Sequence, residues 1–221
     1  MTEERTHKGK IGEVDWEDAD CDNSKRNSIF LNMRKPGTYE VRVVSKPHQY
    51  FCHWVEAADG SRRKINCTSD GNCPVCVDQG KGPQAKWLLK VIYRSENGPV
   101  LRILDAGQQI LSQIRDLHRN PKFGNVSKYD IQITRGERNQ NPLYRVLPLG
   151  TAENGTPLTD EEKRMIKESS DPDSDNYIDM KKLCQPSSRE EINRILGVKE
   201  EAGSAGEDFM ESDGDEDFLD L

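Results

Sequence analysis

Four residues whose side chains bind soft metals fall within 24 positions: His53, Cys67, Cys73 and Cys76, the last two as Cys73-Pro74-Val75-Cys76. A Cys-x-x-Cys knuckle lets two thiolates reach one ion from a single tight turn, and a tetrahedral zinc needs four such ligands. Cys21 and Cys184 lie far from this cluster. Nothing marks the chain as secreted, so thiolates rather than disulfides are expected. Cys52 and His53 are adjacent, and alternation along a strand turns only one of them toward a metal; His53 is taken as the fourth ligand, with Cys52 as the alternative. Four protein ligands fill the coordination sphere, which makes one structural zinc ion. Zinc deaminases also run His and then Cys-x-x-Cys, but with a catalytic Glu two residues after the His and a Pro before the first Cys. Here Val55 stands at the Glu position and Pro74 lies inside the knuckle. Cys67 would also fill the position that a catalytic metal leaves to water. No Gly-rich nucleotide loop or paired acid constellation suggests another reaction, so the expectation is not an enzyme.

Strands must deliver these ligands. Folded structure is expected from about Ser28. After Pro36-Gly37, Tyr39, Val41 and Val43 alternate with Glu40 and Arg42, and Tyr50 to Val55 forms a second, aromatic-rich strand. Asp59-Gly60 turns the chain toward Arg62-Arg63-Lys64 and the knuckle. In Ala85 to Arg94, Trp87, Leu89, Val91 and Tyr93 share one face, with Lys86, Lys90 and Arg94 on the other beside Leu88 and Ile92. Asn97-Gly98 marks a hairpin turn into Val100 to Leu104. Gln108 to His118 has helical spacing, and Tyr129 to Thr134 and Leu143 to Leu149 are further strands around a polar loop, Arg135 to Asn141. Thr159-x-x-Glu162 and Ser188-x-x-Glu191 open two short helices, the second stopping at Gly197.

Charge is distributed unevenly. The formal net charge is −7, yet residues 34–149 carry 19 Lys and Arg against 10 Asp and Glu, while residues 200–221 carry 10 acids and no base. A basic middle followed by an acidic tail is a polarity of proteins that handle nucleic acid. With 33% hydrophobic and 32% charged residues, much of the chain is expected outside any core. No run approaches the roughly 20 apolar residues of a membrane span, and no signal-peptide core is present, so a cytoplasmic protein is expected.

Short strands, an interposed helix and a basic, aromatic middle predict a mainly β protein. The expected core is an OB-fold, a five-stranded Greek-key barrel, with an inserted structural zinc subdomain and a few short helices. Residues 1–28 are read as a flexible N-terminal arm, 29–150 as the core containing the zinc site (53–76), 151–197 as its short helical C-terminal part, and 198–221 as a disordered acidic tail. Such a barrel binds single strands by a positive groove and stacking aromatics. Candidate backbone contacts are Arg62, Arg63, Lys64, Lys86, Lys90, Arg94 and Arg102; candidate stacking groups are Tyr50, Trp54, Trp87, Tyr93 and Tyr144. In the tail, Phe218 and Leu219 form a small apolar anchor flanked by Asp217 and Asp220, suited to a basic pocket on a partner.

The spacing of His53, Cys67 and Cys73-Pro74-Val75-Cys76 resembles the zinc site of the single-stranded-DNA-binding, helix-destabilising proteins of T-even bacteriophages. The run Lys86-Trp87-Leu88-Leu89-Lys90-Val91 is similar to the strand that follows the zinc region in that family, and the terminus Asp217-Phe218-Leu219-Asp220-Leu221 to its acidic tail. The resemblance covers roughly residues 37–149 and the tail. It implies an OB-fold core with zinc on one His and three Cys, and cooperative coating of single strands in replication, recombination and repair. It also implies a tail that recruits polymerase, primase-helicase and recombination proteins such as a recombinase loader, in the host cytoplasm if the protein is phage-encoded. The chain is shorter between core strands and after Gly150 than that family, and has no clear match to the basic N-terminal motif through which members self-associate along DNA. Two rival functions share the same features: an RNA-binding translational regulator, and a zinc-containing transcription or replication accessory factor whose acidic tail contacts a polymerase.

Overall fold

The computed structural model describes residues 29–198. The expected N-terminal arm and the tail beyond Val198, with Asp217, Phe218, Leu219 and Asp220, lie outside the described residues. The fold is mainly β, with seven antiparallel strands and a few helices. In chain order these are β1 (Gly37–Val43), β2 (His48–Glu56), β3 (Arg62–Asn66), α1 (Pro74–Val77), β4 (Gln84–Ser95), β5 (Gly98–Ala106), α2 (Gln108–Arg119), β6 (Ile131–Arg135), β7 (Tyr144–Pro148), α3 (Asp160–Glu168), α4 (Met180–Leu183) and α5 (Arg189–Leu196). The two capping boxes were read correctly as helix starts: Thr159 and Glu162 bond reciprocally at α3, and Ser188 accepts from the Glu191 N–H at α5. β3 is the strand the alternation did not announce, because Arg62-Arg63-Lys64 hides its period. Among the described residues, no helix is long and apolar enough to cross a membrane.

The chain divides into two compact units, neither continuous in sequence. The first comprises the described residues up to Pro47 together with Leu88–Ile178; the second comprises His48–Trp87 and the described residues from Asp179 to Val198. The sequence had placed the zinc stretch inside one core at 29–150 and the later helices beside it. Instead α5 belongs with the zinc stretch and α3 with the strands.

In the first unit the strand order is β5-β4-β1-β6-β7. Registers such as Val43↔Val91, Tyr39↔Ile133 and Ile133↔Val146 line Val41, Val91, Ile131 and Ile133 along one fully buried face. Burying each such side chain contributes about 1.5–3 kcal/mol. α2 lays Ile110 and Ile114 into the interior. Its Gln109 and Gln113, four residues apart on one face, also satisfy the outer edge of β7. Gln109 Oε1 accepts from the Tyr144 N–H at 2.9 Å, Gln113 Oε1 accepts from the Val146 N–H at 2.9 Å, and Gln113 Nε2 donates to the Tyr144 carbonyl at 3.1 Å. Side-chain amides thus cover an edge that would otherwise seek another strand.

The opposite face of β4 is covered as well. Arg94 pairs with Glu162 in the first turn of α3 and, at 3.4 Å, with Asp130; Asp130 also receives Arg42 Nε at 2.8 Å. About two helical turns further along, Lys90 donates to the carbonyl of Ser169, the C-cap of α3. Both ends of α3 are therefore held by bases from one strand, an ammonium at the carbonyl end matching the helix dipole.

The second unit is built on the β2–β3 hairpin, paired from Cys52↔Asn66 to Glu56↔Arg62. Val55, Ile65, Cys67, Cys73, Val75 and Ile192 form its buried apolar cluster, with Cys76, Ile195 and Leu196 packed against it. α5 ends in the left-handed Gly197 (φ +72°), where a Cβ would stand 2.7 Å from that of Ala58, and the Ala58 N–H donates to the Ile195 carbonyl. Only glycine allows that approach.

Candidate metal centre and nucleic-acid face

The ligand stretch is assembled by three local devices. β2 presents His53, directly opposite Ile65. Cys67 follows β3, its N–H held by the Phe51 carbonyl at 2.8 Å. Pro74 at the first position of α1 fixes the turn that sets Cys76 one turn beyond Cys73. The result is a cluster in which one ligand atom from each of His53, Cys67, Cys73 and Cys76 lies within 4.8 Å of all the others, and which could hold a metal ion. His53 Nε2 is 3.5 Å from Cys73 Sγ and 3.4 Å from Cys76 Sγ, and Cys67 Sγ is 3.7 Å from Cys76 Sγ. His53 rather than Cys52 joins the cluster, in line with the expectation; Cys52 is buried on the strand's other side, opposite Asn66.

The electrostatics suit a cation. Burial lowers the His53 pKa, which keeps the ring neutral and able to ligate. At Cys73, burial pushes the thiol up, but hydrogen bonds from the backbone at Cys76, Thr68 and Val75 outweigh it and the net shift is downward. Cys76 is pushed up to about 12, by burial first and then by Cys67 and Cys73. Three thiolates repel one another until a cation sits between them.

The hairpin carrying His53 has a second face. Tyr50, Trp54, Arg62 and Lys64 alternate away from His53, Val55 and Ile65, with Trp54 directly opposite Lys64. The Arg62 guanidinium lies 5.4 Å from the Trp54 ring centroid, and Lys64 Nζ lies 5.2 Å from that of Tyr50 and donates to its hydroxyl at 2.9 Å. Trp54 is exposed (42%), whereas Tyr50 is buried (5%) beneath Lys64. Tyr50 is thus a support for the lysine and not an open stacking ring. Arg63 points to the other side and pairs with Asp59.

The other candidates separate. Lys90 is 7% exposed and Arg94 is tied to Asp130 and Glu162, so both belong to the seat of α3. This corrects their reading as phosphate contacts: Leu88 and Ile92 on the same face need cover, and α3 supplies it. Lys86 and Trp87 are half-buried at the start of β4, and Arg102 donates to the neighbouring Leu101 carbonyl at 2.9 Å. Tyr93 and Tyr144 are half-buried in the first unit. Beside them the structure places two residues outside the candidate list. Tyr39 lies 6.2 Å from Tyr93 between ring centroids, and Arg135 pairs with Tyr144 across β6 and β7. Burial and then Tyr93 raise the Tyr39 pKa, with Arg135 opposing and Tyr144 adding. The Nε and Nη1 atoms of Arg135 are buried with no hydrogen-bond partner among the described residues. Arg135 had been read as the first residue of a polar loop, although its place after Ile131-Gln132-Ile133-Thr134 continues the strand. The tail candidates lie outside the described residues.

No family model, curated protein or solved structure matches the chain.

Proposed function

We propose that the protein binds single-stranded DNA with little sequence preference, coating and protecting strands during replication, recombination and repair. In this reading it acts in the cytoplasm by binding, without catalysis, and its acidic tail recruits replication proteins. The observation that carries the reading is the two-faced β2–β3 hairpin: one face holds the ligand cluster, and the other presents Trp54 with Arg62 and Lys64. Single-strand binders need stacking rings beside cations that follow the phosphates, on a surface rigid enough to lose little entropy.

Zinc is the ion that the ligands fit. With Zn–S near 2.3 Å and Zn–N near 2.0–2.1 Å, a tetrahedron places sulfurs about 3.8 Å apart and sulfur about 3.6 Å from nitrogen. The separations of 3.7, 3.5 and 3.4 Å fall close to these. His53, Cys67, Cys73 and Cys76 would hold it, and with all four positions filled its part is to stiffen the hairpin. The OB-type reading is supported by the order β5-β4-β1-β6-β7, with α2 between its third and fourth strands in sequence. The T-even phage helix-destabilising proteins remain the resemblance that best joins zinc, basic core and acidic tail.

Titration with equal-length single-stranded DNA, RNA and duplex at several salt concentrations tests this. The expected order is single-stranded DNA first; preference for RNA would move the protein to translational control, and preference for duplex would overturn the reading. Each phosphate contact contributes about −0.7 to the log–log salt slope. Replacing Arg62 and Lys64 together with Ala should therefore flatten the slope by about 1.4, and Arg63→Ala should leave it unaltered. Trp54→Ala should cost about 1–3 kcal/mol of binding if a base stacks there, with little change in Tm because the ring is exposed.

A further inference from the structure

The first unit carries an apolar groove that the nucleic-acid reading does not use. It lies where the end of β1, the middle of β4 and one side of α2 diverge, with a volume of about 320 Å³. Val43, Leu89, Leu111 and Ile114 line it, and Lys46 and Arg115 stand at its rim. Lys46 is exposed, and Arg115 is half-exposed, 3.7 Å from the neighbouring Asp116. An apolar slot edged by bases selects a short segment with one or two large apolar side chains between acids.

The chain contains such a segment twice. Glu207-Asp208-Phe209-Met210-Glu211 and Glu216-Asp217-Phe218-Leu219-Asp220 repeat one pattern, two acids, Phe, a long aliphatic residue and an acid, nine positions apart. Apart from Leu221, the other residues from 199 to 221 are charged or are Gly, Ala and Ser. The large apolar side chains are thus concentrated in the two motifs.

We propose that the groove beside α2 is the docking site for these motifs of the protein's own chain, Phe and its aliphatic neighbour entering the slot while the flanking acids meet Lys46 and Arg115. The proposal is independent of the nucleic-acid reading. At about 3.3–3.6 Å per residue, Phe209 can reach up to about 40 Å from Val198 and Phe218 up to about 70 Å. Tethering raises the effective concentration of a motif to the millimolar range, so a weak peptide contact suffices to fill the groove. Two motifs and one groove also mean that one is always available to a partner.

The test uses the full-length chain and a Phe209→Ala, Phe218→Ala double variant, which alters nothing in the described fold. The methyl resonances of Leu111 and Ile114 should shift between the two proteins. A fluorescein-labelled peptide of residues 214–221 should bind the variant at least about ten-fold more tightly than the wild type, because no tethered motif competes. Adding Lys46→Glu and Arg115→Glu to the variant should abolish that binding. Unchanged methyl resonances, equal peptide affinity for the two proteins, or affinity that survives the charge reversal would each overturn the proposal. A methyl shift that disappears on dilution would assign the groove to the tail of a second copy and overturn docking within one chain.

Discussion

Cys76→Ser is expected to strip the protein of its metal and to unfold the second unit while the first keeps its structure. Two of the six buried residues in that unit's apolar cluster, Cys67 and Cys73, are themselves candidate ligands, and Cys76 packs against them. The core and the site are the same atoms. Structural zinc supplies about 10–16 kcal/mol of folding free energy in zinc-finger peptides, well above what one small apolar cluster around Ile192 provides. Metal analysis should find less than a tenth of an equivalent in Cys76→Ser, and amide exchange should become fast from His48 to Trp87. A full equivalent of retained zinc would sink the assignment. His53→Ala should behave like Cys76→Ser, whereas Cys52→Ala should keep its zinc. Because all four ligands must be free of protons to bind, acid should release the ion, and chelation at neutral pH should reproduce the mutant.

The second large effect is expected at Glu162. Its side chain is fully buried; it accepts the Thr159 N–H at 2.8 Å and pairs with Arg94. Glu162→Ala removes the carboxylate half of the capping box, while the Thr159 hydroxyl still accepts the backbone N–H of residue 162, and it leaves Arg94 with only the longer contact to Asp130. Removing one partner of a buried pair costs about 3–5 kcal/mol, and the Thr159 N–H also loses its acceptor. Glu162→Gln, which can still accept the Thr159 N–H, should lose less. The double replacement Arg94→Met, Glu162→Leu should recover most of the stability, since an apolar pair of similar volume removes both buried charges. Urea denaturation measures all three. A change of less than 1 kcal/mol in Glu162→Ala would show that α3 is not seated by this pair. The same series bears on function: Arg94→Ala should lower stability and leave the salt slope of DNA binding as it was.

The residues that were legible in the sequence were those whose chemistry is local. Ligand spacing, capping boxes and strand alternation each depend on neighbours within a few positions, and His53, Glu162 and Gly197 were all read in their places. What escaped depends on partners distant in the chain. Lys90 and Arg94 alternate with apolar residues as solvent-facing bases do, and only α3, some 70 residues later, turns them inward. Gln109 and Gln113 gave no sign of serving β7, because amide side chains at helical spacing look like an exposed face. Arg62-Arg63-Lys64 looked like one patch, yet strand geometry divides it, sending Arg62 and Lys64 one way and Arg63 the other. A Greek-key barrel of the OB type was expected from short strands, an interposed helix and a basic, aromatic middle; that α2 bonds the outer edge of β7 had no sign in the sequence.

The discontinuity of the second unit has a consequence for how the protein is made. Its four candidate ligands are all synthesised by residue 76, but Ile192, which completes the apolar cluster around them, comes 116 residues later. At about 5–20 residues per second, the nascent chain carries a half-covered cluster of candidate metal ligands for about 6–23 seconds. Over that interval Val55, Ile65 and Val75 are open to the cell, and at its start the first unit has none of β4 to β7, α2 or α3. A ribosome that stalls between residues 77 and 192 therefore displays an apolar surface built around the candidate ligand cluster. Its removal by chaperones and proteases becomes a matter of timing rather than of stability.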